Sequence, residues 1–269
     1  MGVTELGMIV GYDGSGTASD PSHGYSVSPP YTKFRNVNYP GAIDTVVTSA
    51  VSTRLLLKAG YYVDATQGGH TWGFIRNRGI WTQYKAPGTP KGPGSVNELL
   101  GINGTGIAVG FYTDSYGMDH PYELAGNRFE HLAPPNAVSA EATGITTLGD
   151  IVGNETTTSG LAEGWILRSG NYTTFSFPGS TATQCWGVNI NDEAVGSYVD
   201  TSGDTHGYIV FHAPNPATRY WQNVDEPDAA RGTTLTGLNA KHTFVGWYVD
   251  VNGANHGFVA TLKGAPALK

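Results

Sequence analysis

Short apolar runs such as Ala194–Val199 and His206–Phe211 alternate along this chain with polar turns such as Asn191–Asp192 and Asp200–Thr205. Asn, Asp and Gly tolerate the backbone conformations that tight hairpins demand, so each turn reverses the chain into the next strand. A further strand near Arg219–Val224 ends before Pro227, which cannot donate to a ladder. Four antiparallel strands joined in this way make one twisted sheet, and a longer Pro-containing connection leads to the next.

The same pattern recurs. Gly101–Gly110 reads Gly-Ile-Asn-Gly-Thr-Gly-Ile-Ala-Val-Gly, and copies begin at Gly2, Gly144, Gly187 and Gly237, with a degenerate one from Val51 to Gly60. The closing glycines, at positions 11, 60, 110, 153, 196 and 246, are spaced by 49, 50, 43, 43 and 50 residues. A period of this size is that of a four-stranded propeller blade. The expectation is an all-β, six-bladed β-propeller forming one domain over 1–269, with repeats near 1–46, 47–96, 97–139, 140–182, 183–232 and 233–269. The Gly-Ile-Asn strand should line the central channel, and the aromatic strands, such as Trp81–Tyr84 and Tyr172–Pro178, should lie outermost. After His256–Thr261 only a short tail follows, so the sixth blade should be one strand short and closure should rest on packing between blades one and six.

Composition narrows the functional classes. The 38 glycines fit a chain full of tight turns. With 14% charged residues and a net charge of -7, no basic stripe is available for a phosphate backbone, so nucleic acid is not an expected partner. No apolar run reaches the length of a membrane span. The single cysteine, Cys185, permits no internal disulfide framework, no Cys/His set has zinc-finger spacing, and no phosphate loop, dinucleotide fingerprint or His-Glu-x-x-His motif appears, so neither a metal nor another cofactor is expected. The first residues belong to a repeat and not to a signal peptide, which points to the cytoplasm, or to the cell exterior if a leader has been removed.

A third repeated element follows the second hairpin: His23-Gly-Tyr, Trp72-Gly-Phe, His120-Pro-Tyr, Glu163-Gly-Trp, His206-Gly-Tyr and His256-Gly-Phe. Together, Gly-Ile-Asn, Val-Gly and His-Gly-Phe resemble the HAF-type extracellular repeat over nearly the whole chain. The resemblance implies a propeller-like fold and an extracellular setting, and it implies no activity, because that family is defined by its scaffold.

Asp64…His70, Asp114…His120, Asp200…His206 and Asp250…His256 keep one separation across the second hairpin. Each is a candidate general base, or else a turn staple in which Asp caps loop amides and His closes the loop. Four copies suit a staple better than a single catalytic constellation. The sharper signal is divergence. Three residues before the first-strand glycine the copies read Glu98, Glu141, Gln184 and Thr234, with Thr48 in the degenerate copy. These share a strand face with Leu100, Thr143, Trp186, Thr236 and Ala50. A partly apolar channel mouth would raise a carboxylate's pKa and fit it for proton transfer. Tyr62, Tyr112, Tyr198 and Tyr248 follow the Val-Gly step, with Trp247 beside one of them and Trp72 at a loop end. Half of such aromatics must pack between blades, and the other half can stack on a ligand.

Two functional readings follow. In the first, the chain is a cofactor-independent enzyme that holds a small apolar or aromatic substrate in the central funnel and promotes a cyclisation of pericyclic (Diels-Alder) type, an elimination or an isomerisation. Glu98, Glu141 and His120 would be its catalytic groups, and Tyr62, Trp72, Tyr112, Gln184, Trp186 and Thr234 its substrate contacts. In the alternative it is a multivalent glycan-binding propeller, or a structural or protein-interaction repeat. A multivalent lectin should keep its binding residues equivalent between blades. Here the turn residues are kept and the channel residues differ.

Overall fold

The computed structural model describes residues 1–52, 56–64 and 68–262 and contains 23 β-strands and no helix among them. Blade 1 comprises β1 (Gly2–Val3), β2 (Ile9–Asp13), β3 (His23–Val27) and β4 (Arg35–Asn36). Blade 2 comprises β5 (Ala42–Ala50), β6 (Leu57–Asp64), β7 (His70–Asn77) and β8 (Ile80–Tyr84). Blade 3 comprises β9 (Asn97–Ile102), β10 (Ala108–Thr113), β11 (Asp119–Ala125) and β12 (Arg128–His131). Blade 4 comprises β13 (Ala137–Ile145), β14 (Ile151–Thr157), β15 (Ala162–Arg168) and β16 (Asn171–Phe175). Blade 5 comprises β17 (Ala182–Val188), β18 (Ala194–Val199), β19 (Thr205–Phe211) and β20 (Tyr220–Asn223). Blade 6 comprises β21 (Thr233–Leu238), β22 (Thr243–Val249) and β23 (Asn255–Thr261). Every sheet is an antiparallel meander in chain order, with four strands in five blades and three in the last. The expected tail of blade 6, residues 263–269, lies outside the described residues.

The repeated glycines mark two close approaches. In blades 2 to 6 a Cβ on the closing glycine would strike a carbonyl of the first strand: at Gly110 it would stand 1.9 Å from the Glu98 oxygen, and at Gly60 2.0 Å from that of Val46. The first-strand glycines meet one another across neighbouring blades, a Cβ on Gly101 standing 3.1 Å from the Gly144 Cα and one on Gly187 3.1 Å from the Gly237 Cα. Six inner strands converge on one axis only if their backbones touch.

The Asn of Gly-Ile-Asn has two roles. Asn103, Asn189 and Asn239 each accept backbone N–H bonds from positions two and four residues on, at 2.9–3.2 Å, which caps the first hairpin. Each also donates its amide to a carbonyl of the next blade: Asn103 to Thr146 at 3.0 Å, Asn189 to Asn239 at 3.1 Å and Asn239 to Thr4 at 3.0 Å. The last of these is a clasp between blade 6 and blade 1. Beside it the Ala240 N–H donates to the Glu5 carboxylate at 3.1 Å, and Ile9, Val27 and Val245 pack with Met1, Val3 and Tyr25.

Candidate functional site

The inner strands surround a cavity of about 1220 Å³. Cross-strand register decides which side chains enter it. Glu98 lies opposite Phe111, Glu141 opposite Asn154, Gln184 opposite Ser197 and Thr234 opposite Trp247, so each pair shares one face. In blade 2 the corresponding pair is Val46 and Tyr61. Glu98, Glu141, Gln184, Trp186 and Thr234 line the cavity as the sequence suggested.

Blade 2 corrects one alignment. Thr48 was expected to match Glu98, but Val46 takes that place, because its carbonyl faces Gly60 as that of Glu98 faces Gly110. The first hairpin of this blade is two residues longer, Ala50 pairing with Lys58 where Ile102 pairs with Ala108. Thr48 instead occupies the bulge position held elsewhere by Leu100, Thr143, Trp186 and Thr236, where each ladder skips one residue. Its hydroxyl donates to the Leu99 carbonyl of blade 3 at 2.9 Å, and that of Thr143 to the Cys185 carbonyl of blade 5 at 2.8 Å.

Four residues expected at the site lie elsewhere. Tyr62 pairs with Trp72 and Tyr112 with His120, so all four face the seams between blades and none lines the cavity. Tyr62 is buried and stacks on Tyr39 at 3.7 Å between ring centroids, as Tyr198 does on Phe177. Trp72 carries Lys85 over its ring at 4.7 Å. Tyr112 stacks on His120, whose Nε2 meets the Asp114 carboxylate at 2.9 Å. Asp114 Oδ1 also accepts the Tyr116 and Met118 amides at 2.7 and 3.0 Å, the arrangement of a turn staple, and these bonds hold its carboxyl below the usual range. Asp250 repeats it with His256 at 3.0 Å. In blade 2 the two extra loop residues put Trp72 where His120 stands in blade 3, and His70 is buried against the Ser95 hydroxyl.

Three aromatics that the sequence did not single out, Tyr12, Tyr61 and Phe111 of β2, β6 and β10, line the cavity together with Trp247 of β22, which it places near the mouth. They form an aromatic arc from blade 6 through blades 1, 2 and 3. Glu98, Glu141 and Gln184 form a polar arc on blades 3, 4 and 5. Trp186 also lines the cavity, its indole N–H buried and unpartnered, and Asn154 pairs across the strands with Glu141. Over the mouth, Gly14, Ser15, Gly16 and Ser22 of the long blade-1 loop complete the wall. Asp20 holds that loop by accepting the Ser15 amide at 2.9 Å, and Asp44 by accepting the Ser22 amide at 2.6 Å.

Burial, then the charges of Glu141 and Asp119, push the Glu98 carboxyl up to about 8. Burial, then Asp119, raises Glu141 to about 7 against the opposing pull of the Asn154 amide. Tyr61 is driven well above its ordinary value by burial, Glu98, Tyr12, Asp44 and Glu141. Two carboxyls are therefore poised to exchange protons near neutrality on the wall of a large cavity. Cys185 is fully buried with its thiol pushed up to about 12, which makes it a core residue and not a nucleophile. Among the described residues no cluster of three or more His, Cys, Asp or Glu is arranged to hold a metal ion.

No family model matches the chain, and no curated protein matches it. Solved structures do. AofleA from Arthrobotrys oligospora aligns at TM-score 0.56 and 11% identity over 90% of this chain and 76% of its own. TolB from Acinetobacter baumannii aligns at TM-score 0.56 and 10% identity over 91% of this chain and 61% of its own. A variant of Aleuria aurantia lectin, solved in complex with Fucα1-6GlcNAc, aligns at TM-score 0.53 and 9% identity over 96% of this chain and 89% of its own. At such identities the likeness is one of fold.

Proposed function

We propose that this chain is a ligand-binding propeller that holds one small molecule in its central funnel, ring face against the aromatic arc and polar edge against Glu98, Glu141 and Gln184. The observation that carries this reading is the division of one cavity into an aromatic and a carboxyl-amide side that no blade repeats. A sugar ring is a fitting ligand class: its C–H face stacks on indole or phenol rings while carboxyls and amides take its hydroxyls. Aleuria aurantia lectin, of the same fold, was solved with a fucosylated sugar bound. One site per chain is favoured over several equivalent ones, because rings fill the seams of blades 1–2 and 4–5 by stacking at 3.7 Å. A titration monitored by tryptophan fluorescence against a glycan and small-molecule panel tests it. Binding of one ligand per chain, lost in Trp186→Ala, is expected. Several equivalent sites, or binding indifferent to Trp186 and Trp247, would contradict it.

A second reading, cofactor-independent acid–base turnover, is favoured by the Glu98 and Glu141 carboxyls being raised to about 8 and about 7. A general acid and base work best with pKa values near the operating pH. Turnover of a funnel ligand by the native chain and not by Glu98→Gln would favour cyclisation, elimination or isomerisation over binding alone.

A further inference from the structure

The funnel's charge is one-sided. Among the described residues its walls carry the carboxyls of Glu5, Asp13, Asp44, Glu98 and Glu141 and no Lys or Arg. The other titratable groups facing it are Tyr12, Tyr25, Tyr61, His256 and the Met1 amine, and burial lowers that amine to about 6. His256 is already engaged by Asp250. An anionic ligand would meet five acids and, among the described residues, no Lys or Arg to offset them. The aromatic arc presents electron-rich faces, and Trp186 and Trp247 are the ring type that attracts a cation most strongly.

We propose that the ligand of this funnel is an organic ammonium, such as a quaternary or primary amine on an apolar or sugar frame, held between the aromatic arc and the Glu98–Glu141 wall. This inference rests on the funnel being the ligand site. A cation seated beside Glu98 and Glu141 stabilises their ionised forms and offsets their mutual repulsion and the field of Asp119, so its entry should release protons. A free amino sugar fits the same requirement, whereas a neutral sugar uses the rings and leaves the charge unmatched. The chain's net charge of -7 adds long-range attraction for a cation.

The probes are benzyltrimethylammonium, 2-phenylethanol as its uncharged counterpart, and phenylacetate, titrated into the full chain by calorimetry with tryptophan fluorescence as the location readout. The cation should bind at least about tenfold more tightly than the alcohol near pH 8, phenylacetate most weakly, and the preference should shrink toward about pH 5.5. Near neutrality, titrations in buffers of different ionisation enthalpy should show fractional proton release with the cation and none with the alcohol. The double variant Glu98→Gln/Glu141→Gln should lose most of the preference for the cation over the alcohol, read as the ratio of the two affinities in the same variant. Equal or tighter binding of the alcohol, or a preference unchanged in the double variant, would overturn the ammonium inference and leave the funnel site standing. Binding of all three probes that leaves the signals of Trp186 and Trp247 unchanged, checked with Trp186→Phe and Trp247→Phe, would overturn the funnel site and the inference together.

Discussion

Tyr61 and Tyr62 are neighbours in the chain and belong to two different regions. Tyr61 faces the funnel, beside Glu98 and Asp44, whereas Tyr62 is sealed in a seam under Tyr39. The same step separates Phe111 from Tyr112 and Trp247 from Tyr248. The seam side repeats, with stacked rings, staples and Asn clasps recurring from blade to blade. The funnel side does not, running from Trp247 and Tyr61 through Glu98 and Glu141 to Gln184. Residues that hold the ring together are constrained alike in most blades, whereas residues facing the cavity answer to whatever occupies it.

Two tryptophans separate these regions most sharply. Trp165 is fully buried and its indole N–H donates to the Asn154 carbonyl at 3.0 Å. Trp165→Ala should lose about 3–5 kcal/mol of stability in urea unfolding. Trp186→Ala should cost far less stability and abolish ligand binding, and equal stability losses in the two would blur the distinction. The clasp ranks next. Asn239→Ala removes two accepted bonds and the donation to Thr4 that joins blade 6 to blade 1, so about 1–3 kcal/mol should be lost, read as a lower urea midpoint.

Glu98 gives a pH-dependent effect of known sign. Its folded pKa of about 8 lies above the unfolded value of about 4.3, so the fold holds the proton more tightly than the open chain does. Its stabilising contribution is complete below the unfolded value and is lost as pH rises through about 8. Glu98→Gln should therefore unfold at a higher temperature than the native chain above neutrality, with the difference closing toward about pH 4.5. A gap that widens on acidification would place Glu98 outside the buried wall. Smallest of all, His120→Asn should leave ligand affinity unchanged and shift thermal unfolding only slightly, since its bond to Asp114 is partly exposed and the Asp still accepts two loop amides.

The blades were legible because closing glycines and hairpin turns obey local sterics that repeat with the chain. Glu98, Glu141, Gln184, Trp186 and Thr234 were legible because counting back from a fixed glycine preserves strand parity. Of the aromatic arc only Trp247 was legible, although the signal was present: Phe111 pairs with Glu98, so the residue immediately after the glycine, and not the second, shares the carboxylate's face. Tyr62 and Tyr112, second after the glycine, have the opposite parity and share the seams with their cross-strand partners Trp72 and His120. Blade 2 was misaligned because its first hairpin has two extra residues, and a glycine count cannot see where in a repeat an insertion falls. The one-sided charge of the funnel was also beyond the sequence, since Glu5, Asp13 and Asp44 come from other parts of their repeats and meet Glu98 only when the ring closes.

A crystal structure of the chain with a bound ligand would test the division between seam and funnel most directly. The account predicts one molecule per chain, its apolar face on Tyr61 and Trp247 and its polar or cationic group against Glu98 and Glu141, with the seam stacks unchanged. Ligands in several equivalent seams with the funnel empty would contradict it.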